Sequence, residues 1–206
     1  MVSNEKKIVI SFDDGHISDV KTALPLLSKY GFTAEFFVTT DWIGGPNYLA
    51  ETDIRTLSDA KMGIGSHGAS HRFFNDMSYE EAATELENSL SRLREITGKP
   101  INRFSAPGGR LPAKLPALAK EHSIELICTS AIGMSSASNF PNKIPRFAIR
   151  RDLSMSDFIK IVNGDRAFYR RQHLRHIILV SIRTLLGNSF YMSLREKLMA
   201  ARKAKV

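Results

Sequence analysis

Two pairs of polar side chains carry the chemistry open to this sequence. Asp13 and Asp14 stand side by side in SFDDGH, directly after the apolar run KKIVI. His67 and His71 stand four residues apart in SHGASH. Adjacent acids where a strand ends are ordinary turn chemistry when the turn is solvated. They also suit a division of labour, one carboxylate binding a cation while its neighbour moves a proton. Histidines four apart fall on one side of a helical turn, where each offers a nitrogen to the same metal. Two neutral nitrogens and a carboxylate leave coordination positions open for water and substrate. Zinc is the default ion for that set, which also tolerates cobalt, nickel or iron. A third stretch, SAPGGR from Ser105 to Arg110, leaves a strand through a Pro-Gly-Gly turn and exposes backbone N–H groups.

These stretches are distant in sequence, so the fold must gather them. Short apolar strands alternate with amphipathic helices. KIVISF, TAEFFVTT, MGIGSHG, NRFSA, ELICTSAI and PRFAIRR read as strands. TALPLLSKYG reads as a helix closing on Gly31, and ETDIRTLSDAKM and LPALAKEHS as two more. Ser78 and Glu81 form a capping box that starts a further helix. Along it, Tyr79, Ala82, Ala83, Leu86, Leu90 and Leu93 mark one buried face. Repeated βα units imply parallel strands under covering helices, either an α/β barrel or a doubly wound sheet. In a barrel the strand C-termini open onto one face, where distant residues converge. The GxGxxG spacing of GIGSHG falls within a strand rather than in the turn after one, and no Walker loop follows any strand, so nucleotide binding lacks its usual signature.

Composition narrows the classes. With 206 residues, 43% of them hydrophobic, the chain can bury one substantial core. The net charge of +8 favours anionic partners. The excess gathers from Arg146 onward, through RRQHLRH to ARKAKV, while the motif-bearing front is closer to neutral. After about residue 152 the pattern becomes helical: DLSMSDFIKIVNG, then a long basic segment with Leu174, Ile178, Ile182 and Leu185 on one face. The single cysteine, Cys128, sits in an apolar run and reads as a core residue rather than a reactive thiol. The apolar stretch before Ser11 is only three residues long, too short for a signal-peptide core. No segment approaches the roughly 18–20 apolar residues of a membrane span. The expected location is cytoplasmic, with peripheral contact to a membrane surface or an anionic substrate through the basic helix. No nucleic acid is expected as partner.

In sequence order, SFDDG, MGIGSHGASH and FSAPGG resemble the TFDDG, H-[ST]-x-x-H and FRxPxG motifs of the polysaccharide deacetylases, the NodB-homology group of carbohydrate esterase family 4. LPLLSKYGF and TAEFFV match the segments between the first two motifs, and the similarity covers about residues 5 to 150. The resemblance implies a distorted (β/α) barrel of about seven strands over residues 1–152. Residues 153–206 would form a basic helical extension packed on the same domain. It implies a metal-dependent hydrolase that removes N-acetyl groups from an N-acetylated sugar or glycan. Asp13 takes the position of the general base. Asp14, His67 and His71 take the positions of the ligands to a divalent metal, zinc first, with Co2+ or Ni2+ as alternatives. Gly108 takes the position of the backbone donor to the oxyanion, with Pro107 and Gly109 beside it at the substrate. Hydrolysis of non-sugar C–N bonds on the same fold, or glycan or partner binding without turnover, are the alternatives.

Three departures bear on that reading. The family arginine that pairs with the base is Ser105 here, so another cation must take its place. Arg110 is the first candidate, and Arg146 or Arg150 the next. Gly68 stands where the family has Ser or Thr. The Leu-His pair that supplies the family's general acid is missing. His122, His173 and His176 read as surface residues, which leaves His16, directly after the first motif, as the best titratable candidate.

Overall fold

The structure is a computed structural model, and it describes residues 8–109, 112–133 and 143–186. The chain divides into two compact units at the Ala148–Ile149 junction. The first is built on six parallel strands in simple sequence order: β1 (Ile10–Phe12), β2 (Ala34–Val38), β3 (Gly63–Ser66), β4 (Arg103–Ser105), β5 (Leu126–Thr129) and β6 (Ile144–Pro145). The sheet curls into a half-barrel. Six strands, rather than about seven, are present among the described residues. The last is Ile144–Pro145, whereas PRFAIRR was the expected strand; Arg146 to Arg150 follow it without regular structure.

Alternation along the strands assigns the two faces. Ala34, Phe36 and Val38 of β2 join the core beneath the helices with Ile64, Phe104 and Ile127. Covering them are α1 (Leu24–Lys29), α2 (Glu51–Asp59), α3 (Tyr79–Thr97) and α4 (Leu115–Glu121). The capping box on α3 forms as the sequence predicts, Ser78 Oγ accepting from the Glu81 N–H and the Glu81 carboxylate from the Ser78 N–H. On its inner face Ala82, Leu86, Leu90 and Leu93 are fully buried, with Tyr79 and Ala83 packed partly against the core. Truncating one such leucine to alanine costs about 2–5 kcal/mol.

The other face of the sheet is polar and aromatic. Glu35 of β2 pairs with Arg103 of β4 across β3. This crossing is open because the intervening residue is Gly63: a Cβ there would collide with both side chains. Phe37 lies one pleat above, toward the strand C-termini, beside Gly65. Cys128 is buried, and burial pushes its thiol up to about 11, as suits an inert core residue.

The second unit contains α5 (Met155–Asn163), capped by Ser154, and α6 (Arg166–Leu186). The expected break near Gly187-Asn188 lies outside the described residues. No helix among the described residues is long and apolar enough to cross a membrane.

Candidate functional site

Every group singled out at a strand end emerges on the same side of the sheet, because all six strands run parallel. Asp13 and Asp14 follow β1, His67 follows β3, the Pro107–Gly109 turn follows β4, and Arg146 follows β6. Asp14 Oδ1 lies 3.3 Å from His67 Nε2 and 3.3 Å from His71 Nε2. Ligand atoms around a tetrahedral ion with bonds of 2.0–2.2 Å are about 3.3–3.6 Å apart, so the spacing of Asp14 from each histidine suits a shared divalent cation. All the ligand atoms fall within 4.8 Å of one another. His67 is 2% exposed, and its Nδ1 donates to the Ser105 carbonyl at 2.7 Å. A carbonyl only accepts, so the Nδ1 carries a proton, and Nε2, which faces Asp14, is the nitrogen a metal would take.

The histidines do not share a helical turn, as their spacing suggests. Residues 67–71 form an irregular loop, in which Gly68 has φ +81° and His71 φ +64°. The imidazoles still converge, with ring centroids 5.1 Å apart. Asp14 also has a left-handed backbone, φ +79°, so two of the three ligand positions hold conformations that cost of order 1 kcal/mol or more. The loop is tied down through Ser70, whose N–H and hydroxyl both donate to Glu85 Oε1, at 2.6 and 2.9 Å.

Electrostatics favour an ionised Asp14 and a neutral His71. The hydrogen bond from His67 holds the Asp14 carboxyl below its usual range; burial opposes this, and His67, His71 and His16 reinforce it. Burial, reinforced by His67, holds the His71 imidazole below its usual range against the pull of Asp14 and Asp13.

Asp13 lies outside the ligand cluster and is held in a clamp of its own. Arg146 donates to both its oxygens, Nη1 to Oδ1 at 2.8 Å and Nη2 to Oδ2 at 2.8 Å. The same guanidinium donates to Ser11 Oγ at 3.0 Å and to Ser105 Oγ at 2.7 Å, and it lies over the Phe37 ring. Ser105, fully buried, also donates to Asp13 Oδ2 at 3.3 Å. The cation missing from position 105 therefore enters from the opposite edge of the sheet, over a serine small enough to leave it room. Arg110, the first candidate for this role, lies outside the described residues. Arg150 pairs with Asp152 instead, within the second unit.

The remaining candidates fall into two groups. Gly108 (φ +65°) belongs to the Pro107–Gly109 turn, and a Cβ on it would strike the Phe73 ring. That turn sits against the histidine loop, where a Cβ on Gly68 would lie 3.8 Å from Pro107 Cγ. His16 is exposed beside the site, its Nδ1 held by the Ser18 hydroxyl at 2.8 Å and the Ser18 N–H at 3.2 Å. His122 is bound up with Glu87 between α4 and α3. His173 and His176 lie on α6.

Sequence reasoning passed over Asp19 and Trp42. Asp19 is 3% exposed in a π-helical turn (Asp19–Ala23), and its Oδ2 has no partner among the described residues. Burial, aided by the charges of Asp14 and Asp13, pushes its carboxyl up to about 7. An acid five residues past Asp14 was the available signal. Trp42 stacks on His71, a contact between loops with no local signature.

The polysaccharide deacetylase family model matches residues 2–127. The chain belongs to the polysaccharide deacetylase family. The Bacillus subtilis (strain 168) protein YxkH, itself named for this family, is 24% identical over 155 residues, 75% of this chain and 56% of YxkH. The peptidoglycan-N-acetylmuramic acid deacetylase PdaC of the same organism is 31% identical over 118 residues, 57% of this chain and 24% of PdaC. The chain thus spans little more than half of one curated relative and a quarter of the other. Among solved structures, the Streptococcus pyogenes deacetylase PplD in complex with acetate superimposes with a TM-score of 0.71 at 22% identity, over 78% of this chain and 72% of that one. That likeness establishes the shared NodB-like fold. Within the polysaccharide deacetylase pattern, Gly68 now has a physical reason: its backbone conformation and the nearby Glu85 carboxylate leave little tolerance for a side chain.

Proposed function

We propose that this polysaccharide deacetylase family member hydrolyses the N-acetyl group of an N-acetylated sugar or glycan with a divalent metal held by Asp14, His67 and His71. The observation that carries the reading is the 3.3 Å spacing of Asp14 Oδ1 from both histidine Nε2 atoms, with Asp13 clamped next door by Arg146. Zinc is the proposed ion, with Co2+ or Ni2+ as substitutes. When bound, a divalent cation polarises the acetyl carbonyl and lowers the pKa of a coordinated water.

The residues divide the rest of the work. Asp13 accepts the proton of the attacking water as its oxygen bonds to the acetyl carbon. Arg146 and Ser105 keep the Asp13 carboxylate in one orientation. The Gly108 N–H is assigned to the developing oxyanion, with Pro107 and Gly109 shaping the turn around it. The C–N bond then breaks, releasing acetate, and the amine leaves with a proton for which His16 is the assigned donor. The activity for which PdaC is named supports an N-acetylated glycan as substrate. For the helical unit we propose contact with an anionic surface or substrate. Met155, Phe158, Ile159, Leu174 and Ile177 are exposed there beside Arg166, Arg170, Arg171 and Arg175.

Acetate release tests the reading. The zinc-loaded chain is incubated with N-acetylglucosamine oligosaccharides and peptidoglycan fragments, alongside Asp13→Asn. Wild type is expected to release acetate, and Asp13→Asn to keep its zinc while losing about 10²–10⁴-fold in turnover. Equal turnover in the variant would remove Asp13 from the reaction. A zinc-loaded wild type that binds glycan and releases no acetate would make this a binding domain.

A further inference from the structure

The two histidines of the site are oriented by different means. His67 is buried and fixed by its hydrogen bond to the Ser105 carbonyl. The His71 side chain is 31% exposed, and no described residue hydrogen-bonds its Nδ1. The Trp42 indole lies against it, with ring centroids 4.9 Å apart and planes inclined by 27°. This contact is held from both sides. Trp42 ends the single 3-10 turn Thr40–Trp42 after β2. That turn is pinned to the histidine loop by two backbone hydrogen bonds, Thr40 N–H to the Gly68 carbonyl at 3.2 Å and Asp41 N–H to the Ala69 carbonyl at 3.0 Å. Tyr48 also packs on the indole, with ring centroids 4.8 Å apart, and is bridged through its backbone to His16 on the loop that carries Asp14.

We propose that Trp42 is a positioning residue of the metal site, its stacking fixing the His71 ring as a hydrogen bond fixes His67. The proposal rests on the reading of Asp14, His67 and His71 as ligands. A free imidazole on an exposed loop swings about χ1 and χ2, and every misdirected rotamer withdraws Nε2 from the ion. Stacking with a large flat ring restricts that swing without consuming a nitrogen. The neighbouring ring contacts also give Trp42 its use within the protein: it braces His71 and is itself braced by Tyr48. Trp42 is the only tryptophan in the chain, so its emission reports directly on the surroundings of one ligand.

The test compares wild type, Trp42→Phe, Trp42→Leu and His71→Ala by competition for zinc with a chromophoric chelator, with metal-free thermal unfolding followed in parallel. Loss of an orienting neighbour typically lowers metal affinity about 10–100-fold. That loss is expected in Trp42→Leu, with Trp42→Phe restoring affinity to within about threefold of wild type because it keeps a stacking ring. In wild type, zinc is expected to change the Trp42 emission with an end point of one equivalent, and His71→Ala to abolish the change. Wild-type affinity in Trp42→Leu, or equal weakening in both variants, would overturn the positioning role alone. Should Trp42→Leu fail to fold, an emission unmoved by stoichiometric zinc, or a Trp42→Phe as weak as His71→Ala, would overturn it equally. A wild type that binds no zinc would remove the ligand reading as well.

Discussion

Arg146 grips Asp13 with both guanidinium nitrogens, each at 2.8 Å, although the two residues are 133 positions apart and sit beyond opposite edge strands of the sheet. The pair joins the two edges of the half-barrel at the point where the chemistry is proposed. It also replaces an interaction that the family makes from position 105.

Removing the guanidinium should therefore affect turnover without affecting metal content. In Arg146→Ala the Asp13 carboxylate keeps, among the described residues, only the Ser105 hydroxyl as an orienting partner. Misplacing a catalytic group by about 1 Å costs on the order of 10²-fold, and a loss of that size is expected in kcat. Arg146→Lys should recover little, since one ammonium cannot reproduce the two-point grip. Zinc content by plasma emission spectroscopy is expected to stay at wild-type level in both. Unchanged kcat in Arg146→Ala would leave the pair as a structural clip across the sheet edges.

Restoring the family residue at position 68 should harm this protein. Gly68 has φ +81°, and a Cβ there would stand 3.2 Å from the Glu85 oxygen that anchors Ser70. A left-handed backbone costs a non-glycine residue about 1–2 kcal/mol. Gly68→Ser is expected to lower stability by that amount in chemical denaturation, and to weaken zinc binding because the loop carries both histidines. A variant as stable as wild type would mean that the loop readjusts freely.

How legible this site is in the sequence depends on the distance over which each relationship runs. Asp13 and Asp14 are readable as adjacent acids directly after an apolar strand, although the left-handed Asp14 backbone rather than strand alternation parts their side chains. His67 and His71 are readable as a pair, but the sequence suggests a helix where the loop uses left-handed residues. The fold follows from the alternating apolar runs, and only the strand count and the short last strand differ. The partner of Asp13 is another matter. Proximity in the chain favours Arg110, whereas the sheet's curl delivers Arg146, and no local pattern encodes a contact over that separation. Trp42 is hidden for the same reason, since two loops must cross before indole and imidazole meet.

Asp19 predicts a pH dependence of stability. Its carboxyl is pushed up from the ordinary 3.8 to about 7 by burial, aided by the charges of Asp14 and Asp13. Between those values the unfolded chain releases the proton while the metal-free folded chain keeps it. The Asp19 contribution to stability therefore falls as pH rises through that window. Asp19→Asn removes the charge that must otherwise be buried. Relative to metal-free wild type, the variant should gain stability steadily from about pH 4 to pH 7, measured by denaturant unfolding at each pH. A difference that does not change with pH would show that Asp19 ionises freely in the folded protein.

The central claim is that Asp14, His67 and His71 hold one divalent ion while Asp13 stands clear of it in the grip of Arg146. The most direct measurement is an anomalous difference map at the zinc edge from crystals of the zinc-loaded protein. The account predicts one peak per chain between these three side chains, with His67 and His71 Nε2 at roughly 2.0–2.1 Å and Asp13 outside the coordination sphere. A peak coordinated by Asp13, or zinc bound only away from the two histidines, would contradict it.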